Sequence, residues 1–332
     1  MEYWTQLATE QFPPSSIVEQ AVAAERGGFA AVNTSDHFQP WWEPGESGHA
    51  WVMLGAIAHA TSRVRVGSGV TAPVHRHNPA IVAQAFTTLE ELAPGRAFVG
   101  IGSGEALNES PAGMDWPEVG EQLSRVEEAL EIISRLFDGE RLDFEGRYFR
   151  TKAAYLHTRP PRRPEVYVSA FGPRAASVAA RLADGLWMLA DPEMAPDLID
   201  AYRAACDDAG KEPGEVILQT GFSYAPDDDA ALEGARVWKA AQPDAYYVED
   251  IHDPREMYQR AEREVSDEEF AAAYILSSDQ GVHVERVREI ERMGATIVCL
   301  QNASGYDPIA GMRFYGERVL PALRAGDADR TS

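Results

Sequence analysis

The stretch Ser35-Asp36-His37-Phe38-Gln39-Pro40-Trp41-Trp42 gathers a carboxylate, an imidazole and two indoles within a few residues. It follows the β-prone run Ala30-Ala31-Val32-Asn33-Thr34, so it sits where a strand gives way to a loop. Further along, the strand-like Ala97-Phe98-Val99-Gly100-Ile101-Gly102 ends in Ser103-Gly104-Glu105-Ala106-Leu107-Asn108-Glu109. Two strand ends thus carry titratable groups on the same side of a repeating β/α chain. That is the sequence form of a barrel active site.

A histidine with an ordinary pKa near ~6.5 accepts or releases a proton near neutrality, as hydroxyl–carbonyl interconversion requires. A structural histidine is the plain alternative for His37, and Asp36 beside it and the indoles beyond it weigh against that. Zinc is the third use, but no His-x3-His pair or cysteine cluster supplies ligands, and His75-x-His77 is poorly spaced for one helical face. No metal is expected. Glu105 is either a solvated loop carboxylate or an acid–base group, and its glycine-flanked place at a strand end favours the second. Trp41 and Trp42 follow Pro40 in a loop, where adjacent indoles wall a pocket for a planar ligand more readily than they fill a core.

Gly100-x-Gly102-x-Gly104 invites a dinucleotide reading and fails it. The sixth position is Glu105, and Asn108-Glu109-Ser110-Pro111 should interrupt any immediate helix. These glycines are expected to let a flat or phosphorylated ligand approach backbone amides.

The elements that must position these residues alternate throughout. Strands are expected at 3–7, ending at 36, at 64–70, 97–102, 166–170, 185–190, 216–224 and 296–301, with helices behind them. Ser15-Ser16 should cap the first helix, Pro79 should open another, and residues 119–137 form a long one with Leu123, Val126, Leu130, Ile133 and Leu136 on one face. Residues 143–149 look like a hairpin. Eight β/α units predict an α/β fold of the (β/α)8 TIM-barrel type. One domain should span 1–324, with insertions near 138–160 and 242–272 and a polar tail at 325–332.

Composition narrows the partners. The 332 residues exceed the ~250 of a bare barrel. No apolar run reaches the ~20 residues of a membrane span, and the start lacks a secretory pattern, so a cytoplasmic protein is expected. Cys206 and Cys299 read as buried thiols. A net charge of −23 disfavours nucleic acid and anionic membrane. Lysine occurs only at 152, 211 and 239, a skew that suits GC-rich coding or a salt-rich cytoplasm.

At these residues the chain resembles the luciferase-like flavin and deazaflavin oxidoreductases, most of all the coenzyme F420-dependent glucose-6-phosphate and secondary alcohol dehydrogenase group. The matching motifs are residues 35–41, Arg76-x-Asn78-Pro79-Ala80 with Ala83-Gln84-Ala85-Phe86, and residues 102–109. The resemblance implies a barrel of the bacterial luciferase-like type, usually homodimeric, with coenzyme F420 at the C-terminal face. It implies catalytic roles for His37, Trp41 and Glu105. It places Asp36, Gly69, Val70, Ala72, Ser103, Gly104, Asn108, Phe171, Gly172 and Arg174 on the cofactor, with a non-proline cis peptide at Gly69-Val70. Where the sugar-phosphate enzymes hold phosphate with two lysines and an arginine, this chain has Pro192, Val248 and Ala273, and Glu249 replaces a histidine. A dianion facing Glu249 without cations is disfavoured. A pocket built from Trp42, Trp187, Leu189, Tyr246, Tyr247 and Glu249 suits a neutral alcohol, aldehyde or ketone. The expected activity is hydride transfer between F420 and a hydroxyl or carbonyl carbon. The rivals are an FMN-dependent monooxygenase of the same superfamily and a deazaflavin carrier without catalysis.

Overall fold

Eight parallel strands close on themselves in the computed structural model, which describes residues 1–243 and 249–330. In chain order the elements begin with β1 (Glu2–Leu7), α1 (Pro14–Gly27), β2 (Ala31–Thr34), α2 (Ala50–Ala60), β3 (Arg65–Thr71), α3 (Pro79–Leu92) and β4 (Ala97–Ile101). There follow α4 (Ala106–Glu109), α5 (Val119–Phe137), β5 (Leu142–Glu145), β6 (Arg150–Ala154), β7 (Glu165–Ser169), α6 (Pro173–Leu182), β8 (Gly185–Leu189), α7 (Ala195–Asp208) and β9 (Glu215–Ser223). The last set is α8 (Asp228–Ala235), α9 (Pro254–Glu264), α10 (Asp267–Ala273), β10 (Ile275–Leu276), α11 (Gln280–Arg292), β11 (Ile297–Asn302), α12 (Pro308–Phe314) and α13 (Leu320–Arg330).

The barrel runs β1-β2-β3-β4-β7-β8-β9-β11 and returns to β1. Strands buried on both faces favour apolar residues, as in β4; β2 and most of β1 are equally buried but carry the polar Thr5, Gln6, Asn33 and Thr34. Inside, Trp4, Phe98, Tyr167 and Trp187 pack together, with Trp4 and Phe98 ring centres 4.7 Å apart. The Arg65 guanidinium lies 5.1 Å from the Trp4 ring centre and pairs with Glu165. This aromatic plug fills the barrel and leaves its C-terminal mouth for the site. Outside it, α1, α3, α5 and α6 turn buried stripes such as Val126, Leu130, Ile133 and Leu136 toward the strands.

Local departures from expectation have plain causes. α1 starts at Pro14, whose fixed φ suits a first helical position, and no side chain caps it, so Ser15 and Ser16 lie inside the helix. A short α4 begins directly after Glu105, where an interruption was expected, and a 3-10 turn at Ser110–Ala112 ends it. The hairpin expected near 143–149 is β5 paired antiparallel with β6. The segment after β9 contributes α9, α10 and β10, and β10 pairs with Phe222 and Ser223 beyond the point where β8 stops. α13 carries helical backbone through Arg330, into the stretch expected as a tail. Among the described residues no helix is long and apolar enough to cross a membrane.

Candidate active site

The loop after β1 brings Thr9-Glu10 beside the loop after β2, because those two strands are neighbours in the barrel. Glu10 is fully buried, and its Oε1 lies 2.6 Å from His37 Nδ1. On the other side, His37 Nε2 lies 3.6 Å from Glu105 Oε2, delivered from the end of β4. The imidazole is therefore held between two carboxylates from three strand ends. Trp41 stands edge-on to it at 5.6 Å between ring centres.

Burial alone would push the His37 pKa down. The charges of Glu105 and Glu10 overrule that and lift it from 6.5 to about 9. The shift favours the imidazolium by on the order of 3 kcal/mol. Burial also opposes ionisation of Glu10, but the facing imidazolium and the Ser35 hydroxyl bring its carboxyl below the usual range. Glu105 moves the other way, since burial outweighs His37 and its pKa rises. Glu10 is thus favoured as an anion and His37 as a cation, while burial makes Glu105 harder to ionise than an ordinary carboxyl.

These side chains open onto a cavity of about 1300 Å³ at the barrel mouth. Gln6, Ser35, His37, Trp41, Gly69, Val70 and Glu105 line it, together with Phe171, Trp187, Leu189, Gln219, Tyr274 and Gln301. The Gly69–Val70 peptide is cis, as the resemblance implied. The glycine run proves to serve this bulge. A Cβ on Gly100 or Gly102 would meet the Val70 side chain at 2.8 or 2.7 Å, so these glycines make room for Val70. Gly104 adopts φ +84, a left-handed conformation suited to glycine, and packs against Ala72.

Several expected site residues have other partners. Asp36 is off the cavity wall, and its carboxylate takes Thr71 Oγ1 at 2.9 Å, Arg76 at 3.2 Å and His77 at 3.2 Å. Arg76 also donates to the Asp36 carbonyl and pairs with buried Glu109 at 3.4 Å, joining the loops after β2 and β4. Asn108 clamps the same loops. Its Oδ1 accepts from the backbone N–H of Phe38 and Gln39, and its Nδ2 donates to Glu105 at 3.0 Å. Ser103 lies half-buried beside Gly104, away from the cavity lining. Gly172 precedes α6, whose first turn has no side-chain cap. Arg174 donates to Gly120 O and Ser124 Oγ on α5, so its guanidinium is engaged with the neighbouring helix.

On the substrate side, Trp187 and Leu189 line the cavity, and Trp187 Nε1 donates to Gln219. Trp42 does not line it: it is buried edge-on against Trp238, 5.0 Å between ring centres, and it is Trp238 that reaches the wall. Glu249 is exposed and paired with Arg260 at 2.8 Å, and Arg260 forms the wall in its place. Pro192 and Ala273 are on the wall, whereas Tyr246, Tyr247 and Val248 lie outside the described residues. Sequence reasoning missed Glu10 and Gln6. The rule that found His37 and Glu105, a titratable group at a strand end, applies equally to Glu10 after β1.

Residues 1–296 match the family described as luciferase-like monooxygenase. The chain is 38% identical over 323 residues to an F420-dependent glucose-6-phosphate dehydrogenase of Microbacterium testaceum, covering 96% of each chain. A protein of the same description from Nakamurella multipartita is also 38% identical, over 96% of this chain and 95% of that one. Among solved structures, an F420-dependent secondary alcohol dehydrogenase in complex with an F420-acetone adduct superposes with TM-score 0.93 at 32% identity, covering 97% and 98% of the two chains. The F420-dependent tetrahydromethanopterin reductase of Methanopyrus kandleri shares the fold, with TM-score 0.80 at 22% identity over 97% and 99%.

Proposed function

The chain belongs to the luciferase-like family, and within it we propose a coenzyme F420-dependent oxidoreductase that exchanges a hydride with a carbon bearing a hydroxyl or carbonyl group. The observation that carries this reading is His37 held between Glu10 and Glu105 in the cavity that Gly69 and Val70 also line. Proton handling and a platform for a flat ring meet there.

The residues fit the cofactor. The Gly69–Val70 bulge presents a peptide to the cavity, and the glycine notch that receives Val70 keeps side chains clear of that face. Open amides at the start of α6 suit an anion such as the cofactor's phosphate. F420 bound there supplies the hydride chemistry. The protein's part is the proton. His37 Nδ1 is committed to Glu10, which leaves Nε2 to face the cavity and Glu105. In alcohol oxidation the neutral imidazole takes the hydroxyl proton at Nε2, and Glu10 stabilises the imidazolium that results. In carbonyl reduction the imidazolium returns that proton. Glu105, whose ionisation burial opposes, faces Nε2 and the cavity and manages charge beside the ring.

The substrate we favour is a neutral alcohol, aldehyde or ketone. Both arginines on the cavity wall are already paired, Arg260 with Glu249 and Glu264, and Arg286 with Glu289. Asp191, Glu193 and Glu269 add negative charge to the same walls. A phosphate dianion gains little there. Glucose 6-phosphate is the second reading, favoured by the names of the relatives at 38% identity. A screen of alcohols, aldehydes, ketones and glucose 6-phosphate against F420 and its reduced form, followed by the deazaflavin absorption band, decides between them. Turnover of neutral compounds alone supports the first reading, and saturable oxidation of glucose 6-phosphate in preference to them overturns it.

A further inference from the structure

Gln6 of β1 is a buried polar side chain on the cavity wall, 3% exposed, for which the proton chemistry has no use. Its Nε2 donates to the Gly69 carbonyl at 3.0 Å and to Ser35 Oγ at 3.0 Å. A carbonyl only accepts, so the amide NH2 must face Gly69, and both of its hydrogens are then used. Gly69 belongs to the bulge of β3 on which the ring would rest. Ser35 immediately precedes Asp36-His37, and its hydroxyl supports the Glu10 carboxylate. One side chain therefore ties the platform for the ring to the loop that carries the proton acceptor.

The third polar atom sharpens the point. Gln6 Oε1 is buried and has no hydrogen-bond partner among the described residues. Leaving a buried acceptor unpaired opposes folding, and a methionine of similar length would avoid that. Glutamine thus gains two hydrogen bonds to the loops while leaving one acceptor unpaired. We propose that Gln6 is a positioning residue for the hydride and proton exchange, fixing the separation between the Gly69–Val70 platform and His37. The proposal rests on the F420-dependent reading for its catalytic part, whereas the tie between the two loops is a property of the protein without cofactor.

The test uses the full chain with Gln6→Met, which keeps volume and removes both donors, and Gln6→Glu, which turns acceptor oxygens toward the Gly69 carbonyl. Three quantities are read: amide exchange at residues 34–38 and 69–72 in cofactor-free protein, F420 affinity by titration, and kcat with the deuterium isotope effect for propan-2-ol. Both variants should remain folded at the assay temperature and exchange faster in both segments. They should bind F420 within about threefold of wild type yet lose about ten- to a hundredfold in kcat, with a larger isotope effect and little change in KM, as misplacement of reacting groups predicts. Unchanged exchange in either segment overturns the tie. A kcat within about twofold of wild type, or a loss of kcat matched by an equal loss of F420 affinity, overturns the positioning role. If wild-type protein bound to F420 oxidises no secondary alcohol, the proposed function falls, and the exchange arm still decides the tie made by Gln6.

Discussion

The first four barrel strands and the last four treat their mouths differently. After β1, β2 and β4 the polar groups of the loops are buried and mutually bonded: Glu10 to His37, Asp36 to Thr71, Arg76 and His77, Asn108 to the loop of residues 38–39. After β8 and β9 the wall is made of Leu189, Pro192, Ala273 and paired surface arginines, and the chain inserts α9, α10 and β10. The first region has little freedom to change without leaving a charge unpaired, at a cost of several kcal/mol. The second can vary with no such penalty. On the proposed function, chemistry belongs to the first half and choice of substrate to the second.

The sharpest way to break that division is His37→Ala. A placed proton-transfer group is worth ~10²–10⁴-fold in rate. The variant should lose turnover in that range and keep F420 affinity within a few-fold, read by steady-state kinetics and titration. Near wild-type turnover on every accepted substrate would leave the histidine as a wall and move the chemistry to Trp41, Glu105 or water.

Glu105→Gln should come next. It faces both His37 and the cavity, so turnover should fall and cofactor binding or the protonation of the reduced ring should shift more than in the His37 variant. Unaltered spectra and affinity of bound reduced F420 would separate Glu105 from the ring.

Selection by the second half makes a third prediction. With Pro192 and Ala273 on the wall and Arg260 and Arg286 neutralised, glucose 6-phosphate should be a far poorer substrate than neutral secondary alcohols. Comparable kcat/KM for the two would show that the paired arginines are recruited by phosphate. Smaller in consequence for mechanism, F420 should bind more tightly than FMN, and a titration with FMN equal or tighter points to the flavin-dependent branch of the family.

The barrel was legible because its strands are short apolar runs bounded by turn residues, and all eight fall where those runs are. β5 and β6 were legible only as a hairpin near 143–149, and β6 begins just after that span, at Arg150. The insertion after β9 read only as an overlong acidic stretch, since β10 has two residues and depends on the exposed edge of β9 rather than on its own composition. In the site, His37, Trp41 and Glu105 stood out as unusual chemistry at strand ends. Glu10 did not, because Thr9-Glu10-Gln11 looks like any polar turn before Pro13-Pro14, and it is the pairing of β1 with β2 that sets it beside His37. Asp36, Asn108 and Arg174 were placed near the mouth, but their partners are protein groups that no local pattern encodes. Glu249 is engaged by Arg260, one helix further along the chain. Trp42 shows the limit of reading paired indoles, since Trp41 faces the cavity and its neighbour packs behind it.

The pH dependence of alcohol oxidation by the F420-bound protein tests the central claim most directly. His37 must be neutral to accept a proton, and its partners raise its pKa to about 9, so kcat should climb with pH along a limb centred there. Removing the Glu10 charge with Glu10→Gln destabilises the imidazolium, so the limb should move to lower pH, toward the ordinary histidine value. A limb unmoved in Glu10→Gln, or still present in His37→Ala, would contradict the assignment of His37 as the proton acceptor held by two buried carboxylates.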